Sequence, residues 1–128
     1  MKRILSAVLI MFLLLNGCGG SGTEKQSYQQ ITQEVAKEMI DTREVVILDV
    51  REQHEYDSGH IPGAVLLPVG TITEDTAAAV IEYLDTVVLV YCRSGNRSKT
   101  ASQALADLGY TNVYEFGGIN DWPYDVES

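Results

Sequence analysis

The sequence predicts a single α/β domain in which helices cover both faces of a central parallel sheet. Helical spacings of apolar residues alternate with short apolar runs between residues 31 and 116, as in chains built from alternating strands and helices. The runs are apolar throughout and do not alternate with polar residues, which is typical of strands buried on both faces. A chain of 128 residues is long enough for one domain and too short for two ordinary ones.

Three helices are predicted from apolar positions that recur at helical spacing. The first has Thr32 as a suitable N-cap, and Gly109 supplies the stop signal for the third. The apolar positions of the three helices are Ile31, Val35, Met39 and Ile40, then Ala77, Val80, Ile81 and Leu84, and finally Ala101, Ala104, Leu105 and Leu108.

Four apolar runs are predicted as strands, and the residues that follow them mark a possible site. The runs cover residues 45–48, 65–67, 87–91 and 113–116. Asp49 and Arg51 follow the first run, and Cys92 follows the third. Because ligands of open parallel sheets bind beyond the carboxyl ends of the strands, we expect these three side chains to share one mouth.

Cys92 opens a short polar loop that leads into the third helix. This arrangement would direct backbone N–H groups and a helix N-terminus at the sulfur, and such surroundings favour the nucleophilic thiolate. A buried structural cysteine is the alternative, since free cysteine is often buried. The position between a strand and a loop with two arginines favours catalysis, and Gly95 is suited to a positive φ or a close backbone approach. The loop residues are Arg93, Ser94, Gly95, Asn96, Arg97 and Ser98.

Residues 1–17 are predicted to be a lipoprotein signal peptide. A basic start, Lys2-Arg3, precedes an apolar stretch that is short for a membrane span. The following Leu15-Asn16-Gly17-Cys18 resembles the lipobox of bacterial lipoproteins, in which the signal is cut before a lipid-bearing cysteine, although Asn16 departs from the usual small or apolar residue. An ordinary secretory signal and an uncleaved anchor are the alternatives.

The segment 18–29 is then a lipidated Cys18 with a flexible tether, and residues 30–128 form the domain. We expect an extracytoplasmic protein, lipid-anchored to a bacterial membrane at the cell surface or on the periplasmic side. Loss of Lys2 and Arg3 would lower the net charge from −9 to −11. Such an acidic body fits a tethered globule better than flat adhesion to anionic lipid, and it argues against a nucleic-acid partner.

Three blocks of residues together resemble the rhodanese (sulfurtransferase) domain over roughly residues 30–123. One block is the segment from Tyr91 to Ser98, and another is Gly117-Gly118-Ile119 with Trp122 close behind. Four residues separate Cys92 from Arg97, whereas tyrosine phosphatases have five, so the loop resembles the sulfurtransferase class. The remaining block comprises Leu48-Asp49-Val50-Arg51-Glu52, Glu55-Tyr56 and Gly59-His60-Ile61-Pro62-Gly63-Ala64.

The resemblance implies a sulfur transfer in two steps. The thiolate of Cys92 would take the outer sulfur of a small anionic donor such as thiosulfate, and a thiol or cyanide would accept it from the resulting persulfide. Loop residues from Arg93 to Ser98 would bind the substrate, while Asp49 and Arg51 would order the loops around the mouth. No metal and no organic cofactor are implied, and we expect a monomer.

Several alternatives stay open at this stage. The arginines of the loop could be solvated charges, and the domain could be a sulfur-relay or protein-binding module without turnover. Ser94 and Ser98 could contact the persulfide or only cap the helix. The pattern around His60 indicates a packed structural histidine, His54 is expected at the surface, and Trp122 in the core or in a lid.

Overall fold

The computed structural model describes residues 27–128, so the predicted signal peptide, Cys18 and most of the tether lie outside the described residues. Nine helices and strands and two short 3₁₀ helices make up this part of the chain. Their bounds are β1 Gln29–Gln30, α1 Gln33–Thr42, β2 Val46–Asp49, α2 Gln53–Ser58, β3 Val65–Leu66, a 3₁₀ helix Val69–Thr71, α3 Glu74–Val80, β4 Val87–Cys92, α4 Asn96–Asp107, β5 Asn112–Gly118 and a 3₁₀ helix Ile119–Asp121.

The strands form one sheet in the order β1–β5–β4–β2–β3, and every pair in it is parallel. Residues of α3 and α4, such as Ala77 and Leu105, pack on one face, and residues of α1, such as Ala36 and Met39, pack on the other. Residues of β4 enter both cores in alternation, because successive side chains of a strand point to opposite faces. The predicted α/β class, with helices on both sides of a parallel sheet, is confirmed.

The second predicted helix is shorter than its apolar spacing indicates. It ends at Val80, and the N–H of Ile81 closes its last turn on the carbonyl oxygen of Ala77. Leu84, predicted on the same stripe, is instead 55% exposed, and its carbonyl oxygen accepts a hydrogen bond from the N–H of Thr111. The prediction of a helix through Leu84 is therefore wrong, because the chain turns after Val80 and brings Leu84 to the start of β5.

Two elements have no counterpart in the apolar pattern. The strand β1 is only two residues long, and helix α2 has no buried residue. A capping box stabilises α2, with the side chain of Glu55 accepting a hydrogen bond from the N–H of Glu52. Among residues 27–128 no helix is both long enough and apolar enough to cross a membrane.

Candidate active site

Cys92 is the last residue of β4 and lies beneath the loop that joins this strand to α4. The residue is 1% exposed, and the N–H of Gly95 donates a hydrogen bond to its Sγ at 3.1 Å. Gly95 has a φ of +108°, which turns the chain into the following helix and which other residues adopt only with strain. Helix α4 begins at the next residue, Asn96, so its N-terminal end lies beside the sulfur. Both features favour negative charge on Sγ.

Two glycines of strand β5 lie against the backbone of this loop. A Cβ atom on Gly118 would lie 2.0 Å from the carbonyl oxygen of Arg93, so only glycine fits there without a shift of the backbone. The same carbonyl oxygen accepts a hydrogen bond from the N–H of Asn120. Gly117 has a φ of +94°. The Gly-Gly pair that the sequence singles out therefore allows close backbone contact between β5 and the loop.

A chain of hydrogen bonds leads from the sulfur to a buried carboxylate. The Cys92 thiol donates to Oγ of Ser98 at 3.4 Å, and Ser98 donates to Oε2 of Glu115 at 2.5 Å. Glu115 is 2% exposed and also accepts from the N–H of Gly117 and from Nε2 of Gln30. The sequence analysis missed Glu115, although it is the one acidic residue within the predicted strand 113–116.

Asp49 and Arg51 lie together in a buried network beside β4. Arg51 binds both carboxylate oxygens of Asp49, with Nε to Oδ1 at 2.9 Å and Nη2 to Oδ2 at 2.7 Å. It also donates to the carbonyl oxygen of Gly59, and the Tyr91 hydroxyl donates to Asp49 at 2.6 Å. Burial and this last hydrogen bond raise the pKa of Tyr91, which keeps the hydroxyl protonated. The network joins the ends of β2 and β4 to the loop after α2.

Arg97 is bound by a carboxylate from α2. Its Nη1 and Nη2 atoms lie 2.8 and 3.0 Å from the two carboxylate oxygens of Glu55. The hydrogen bonds from Arg97 lower the pKa of Glu55 to about 2. Glu55 belongs to a motif that the sequence analysis noted, but its pairing with Arg97 was not predicted. A substrate anion would share Arg97 with this internal carboxylate.

Arg93 differs from Arg97, since it is exposed and no ion pair among residues 27–128 involves it. It lines an open cleft together with Arg51, His54 and Asn120. A second open cleft, on the β1 side of the loop, is lined by residues that include the exposed Ser94, Lys99 and Asp121 and the buried Gly95 and Glu115. No group of His, Cys, Asp or Glu side chains in the described part of the chain is arranged to hold a metal ion.

Within residues 27–128, His60 and Trp122 pack against other aromatic rings, and His54 does not. His60 stacks on Tyr56 with ring centres 3.8 Å apart, and its Nδ1 lies 2.8 Å from the carbonyl oxygen of the same tyrosine. Trp122 is 9% exposed and packs between Phe116 and Tyr124 in the core. His54 is exposed.

The fold and the site define an α/β domain with a buried free cysteine at the carboxyl end of a central strand. The family model described as the rhodanese-like domain matches residues 32–124, and the chain belongs to that family. It is 39% identical over 74 residues to the thiosulfate sulfurtransferase PspE of Escherichia coli, covering 58% of this chain and 70% of PspE. It is 36% identical over 96 residues to the thiosulfate sulfurtransferase GlpE of Coxiella burnetii, covering 74% and 87%.

Solved structures agree with this assignment. A structure titled "rhodanese with anions from E. coli" superposes with a TM-score of 0.62 at 28% identity, covering 66% of this chain and 99% of that one. The Alr3790 protein of Anabaena superposes with a TM-score of 0.69 at 27% identity, covering 77% and 91%.

Proposed function

We propose that the protein is a sulfurtransferase that moves sulfane sulfur from a small anionic donor such as thiosulfate to a thiol or cyanide, through a persulfide on Cys92. The observation that carries the proposal is the geometry of the sulfur, which accepts the N–H of Gly95 at the start of α4. Such donors stabilise both a thiolate and the anionic persulfide that replaces it. The relatives named thiosulfate sulfurtransferases support the general assignment as a sulfurtransferase.

In the first step the Cys92 thiolate attacks the outer sulfur of thiosulfate. A bond forms between Sγ and that sulfur, the sulfur–sulfur bond of thiosulfate breaks, and its electron pair leaves with sulfite. The charge of the reacting groups is conserved, since a thiolate and a dianion become a persulfide anion and the sulfite dianion. This is covalent catalysis by an activated nucleophile.

In the second step an acceptor removes the outer sulfur from the persulfide. With cyanide, the carbon attacks the outer sulfur, the persulfide bond breaks, and its electron pair returns to Sγ as thiocyanate leaves. The loop from Arg93 to Ser98 is the proposed binding site for the donor, and Arg93 is its arginine that has no carboxylate partner among residues 27–128. The reaction as written uses no oxidant, reductant or cofactor.

The experiment that tests this function measures thiocyanate formed from thiosulfate and cyanide by the full-length protein and by Cys92→Ser. We expect turnover in the wild type and none in the variant, because a serine hydroxyl cannot form a persulfide. The variant should keep the circular dichroism spectrum of the wild type. Turnover that survives in Cys92→Ser would refute the role of Cys92.

A sulfur relay without turnover is the second candidate. The observation in its favour is the burial of Cys92. A persulfide on a residue that is 1% exposed would be shielded from small sulfur acceptors in bulk solvent. Mass spectrometry of the protein after exposure to thiosulfate separates the two functions. A persulfide on Cys92 that cyanide does not remove would indicate the relay, whereas removal with thiocyanate release indicates the enzyme.

The proposed location is outside the cytoplasm, with the domain tethered to the membrane by lipid on Cys18. Its support is the order of a basic start, a short apolar stretch and a cysteine in the first 18 residues. A lipidated Cys18 would leave Cys92 as the one free thiol of the processed chain, since the sequence has two cysteines. Cys92 would then have no internal partner for a disulfide.

A further inference from the structure

The proposed sulfur transfer leaves one buried ionisable group without a task. Glu115 is 2% exposed, lies behind the catalytic loop and has no cationic partner among the residues of the structure. A carboxylate buried without a counter-ion is costly unless its hydrogen bonds compensate. We propose that Glu115 is a positioning residue that, through Ser98, holds the proton on the resting Cys92 thiol and so sets the pH at which this sulfur becomes nucleophilic.

The Ser98 hydroxyl has a single hydrogen, which it can donate either to Glu115 or to the sulfur. Oε2 of Glu115 lies 2.5 Å from Oγ and takes this hydrogen, because an ionised carboxylate can only accept. Oγ can then only accept a hydrogen bond from the sulfur, and the thiol donates to it at 3.4 Å. An acceptor beside Sγ favours the protonated thiol, whereas the N–H of Gly95 favours the thiolate. The two contacts oppose each other.

The surroundings of Glu115 stabilise its carboxylate by hydrogen bonds and not by a cation. The Gln30 amide from β1, the Ser98 hydroxyl from α4 and the N–H of Gly117 from β5 all donate to it, and each is neutral. The charged groups in this region are further removed. Arg97 acts on Cys92 through its charge but is bound to Glu55, and the exposed Lys99 and Asp121 line the cleft on this side of the loop.

This inference deepens the proposed function and rests on it only for the catalytic consequence. The thiol proton must leave for solvent before Sγ attacks a donor, and the carboxylate charge of Glu115 opposes the appearance of a second negative charge on Sγ. Removal of the Glu115 charge should therefore make sulfur transfer begin at lower pH.

The test is the pH dependence of Cys92 alkylation by iodoacetamide in the full chain. Trypsin is expected to release Cys92 in the peptide 52–93, which contains no other cysteine, so mass spectrometry reports this residue separately from Cys18. Glu115→Gln keeps the side-chain shape and an acceptor for Ser98 but removes the charge. We expect the alkylation midpoint to move down by about one pH unit, with alkylation about tenfold faster below the midpoint.

Ser98→Ala independently tests the direction in which the alkylation midpoint shifts. This test does not require the Glu115 variant to fold. Loss of the acceptor should also lower the midpoint, whereas a rise would show that Ser98 donates to the sulfur and would overturn the proposal. In the Ser98→Ala background, Glu115→Gln should shift the midpoint by less than half as much. A full shift there would show that the charge acts without Ser98.

Asp121→Asn is the matched control, because it removes a carboxylate that lines the same cleft but is exposed and has no bond to Ser98. Its midpoint should equal that of the wild type. An equal shift in Asp121→Asn and Glu115→Gln would show that any nearby carboxylate raises the midpoint, and it would overturn the proposal. Alkylation needs no sulfur donor, so these outcomes stand whether or not the protein transfers sulfur.

Discussion

Arg93 lies in the loop after β4 and Arg97 in the first turn of α4, and the two side chains have different electrostatic partners. The Arg97 guanidinium is bound by both oxygens of Glu55. Arg93 is exposed beside an open cleft and has no ion pair within residues 27–128. A cation without a carboxylate partner is the better site for an added anion, because the anion displaces only water. The prediction from the sequence that both arginines bind substrate is untested, and the structure favours Arg93 for the stronger contact.

Arg93→Ala should lower kcat/KM for thiosulfate by about tenfold, the scale of one charge-assisted hydrogen bond at a solvated site. An uncharged organic trisulfide should lose much less, since it makes no contact that depends on the cation. The loss with thiosulfate should shrink as salt is added. Steady-state kinetics with both donors at two salt concentrations measure these effects.

Lys99→Ala is the matched control for Arg93→Ala, because it removes an exposed positive charge from the opposite side of the same loop. Its kcat/KM for thiosulfate should stay close to that of the wild type. Equal losses with the charged and the uncharged donor in Arg93→Ala would show that this residue shapes the loop and does not bind the anion.

At the scale of residues, the sequence indicates groups that are close together along the chain. The positive φ of Gly95 and the placement of Cys92 at a strand end follow from one contiguous segment. Glu115 and Glu55 escape such analysis, because the contacts that give them a role join residues 17 and 42 positions apart. No periodicity within a segment indicates which distant carboxylate a side chain meets.

At the scale of elements, apolar spacing predicts which segments pack on the sheet or within it. It does not predict the residue at which each helix or strand ends. It correctly predicts α1, α4, β2 and β4, each of which buries residues on the sheet or within it. It misses α2, which buries no residue and is stabilised by its capping box. It also extends α3 to Leu84, where contact with the start of β5 requires a turn. Both errors come from backbone hydrogen bonds that apolar patterns do not record.

The Glu55–Arg97 ion pair ties α2 to α4, and its contribution to stability should depend on pH. Because the folded state lowers the pKa of Glu55 from 4.5 to about 2, the stabilisation is fully present above pH 4.5 and disappears as the pH falls towards 2. At pH 7, Glu55→Gln should lower the free energy of unfolding by about 1 kcal/mol, a value kept small because the pair is partly solvated. Urea unfolding at a series of pH values measures this difference.

Glutamine at position 55 can still accept the hydrogen bond from the N–H of Glu52, so the start of α2 is preserved. Asp41→Asn provides the comparison, since it removes the exposed pair between Lys37 and Asp41 within α1. Its effect should be smaller than that of Glu55→Gln at pH 7. A difference between Glu55→Gln and wild type that stays constant from pH 7 to pH 2 would contradict the ion-pair account.

At the scale of the whole molecule, an acidic protein concentrates basic side chains at one edge of its sheet. The net charge of the chain is −9, yet Arg51 and Arg93 line one cleft beside the loop between β4 and α4, and Arg97 lies in the first turn of α4. Arg51 is paired with Asp49 and Arg97 with Glu55, so Arg93 is the one of the three without a carboxylate partner in the described chain. The anionic donor proposed above would be attracted to Arg93 and repelled by the acidic surface elsewhere.

The last prediction concerns attachment of the whole molecule to a membrane. A lipidated Cys18 requires that cells fed a labelled fatty acid incorporate the label into the wild-type protein, whereas Cys18→Ala should contain none and should retain its 17-residue leader. Cys92→Ser is the matched control, because it removes the other cysteine of the chain and should be labelled like the wild type. Label in Cys18→Ala, or its absence from the wild type, would contradict the lipoprotein assignment. Either result would leave the proposed sulfur chemistry of Cys92 untouched, because Cys92 and the side chains around it lie within residues 27–128.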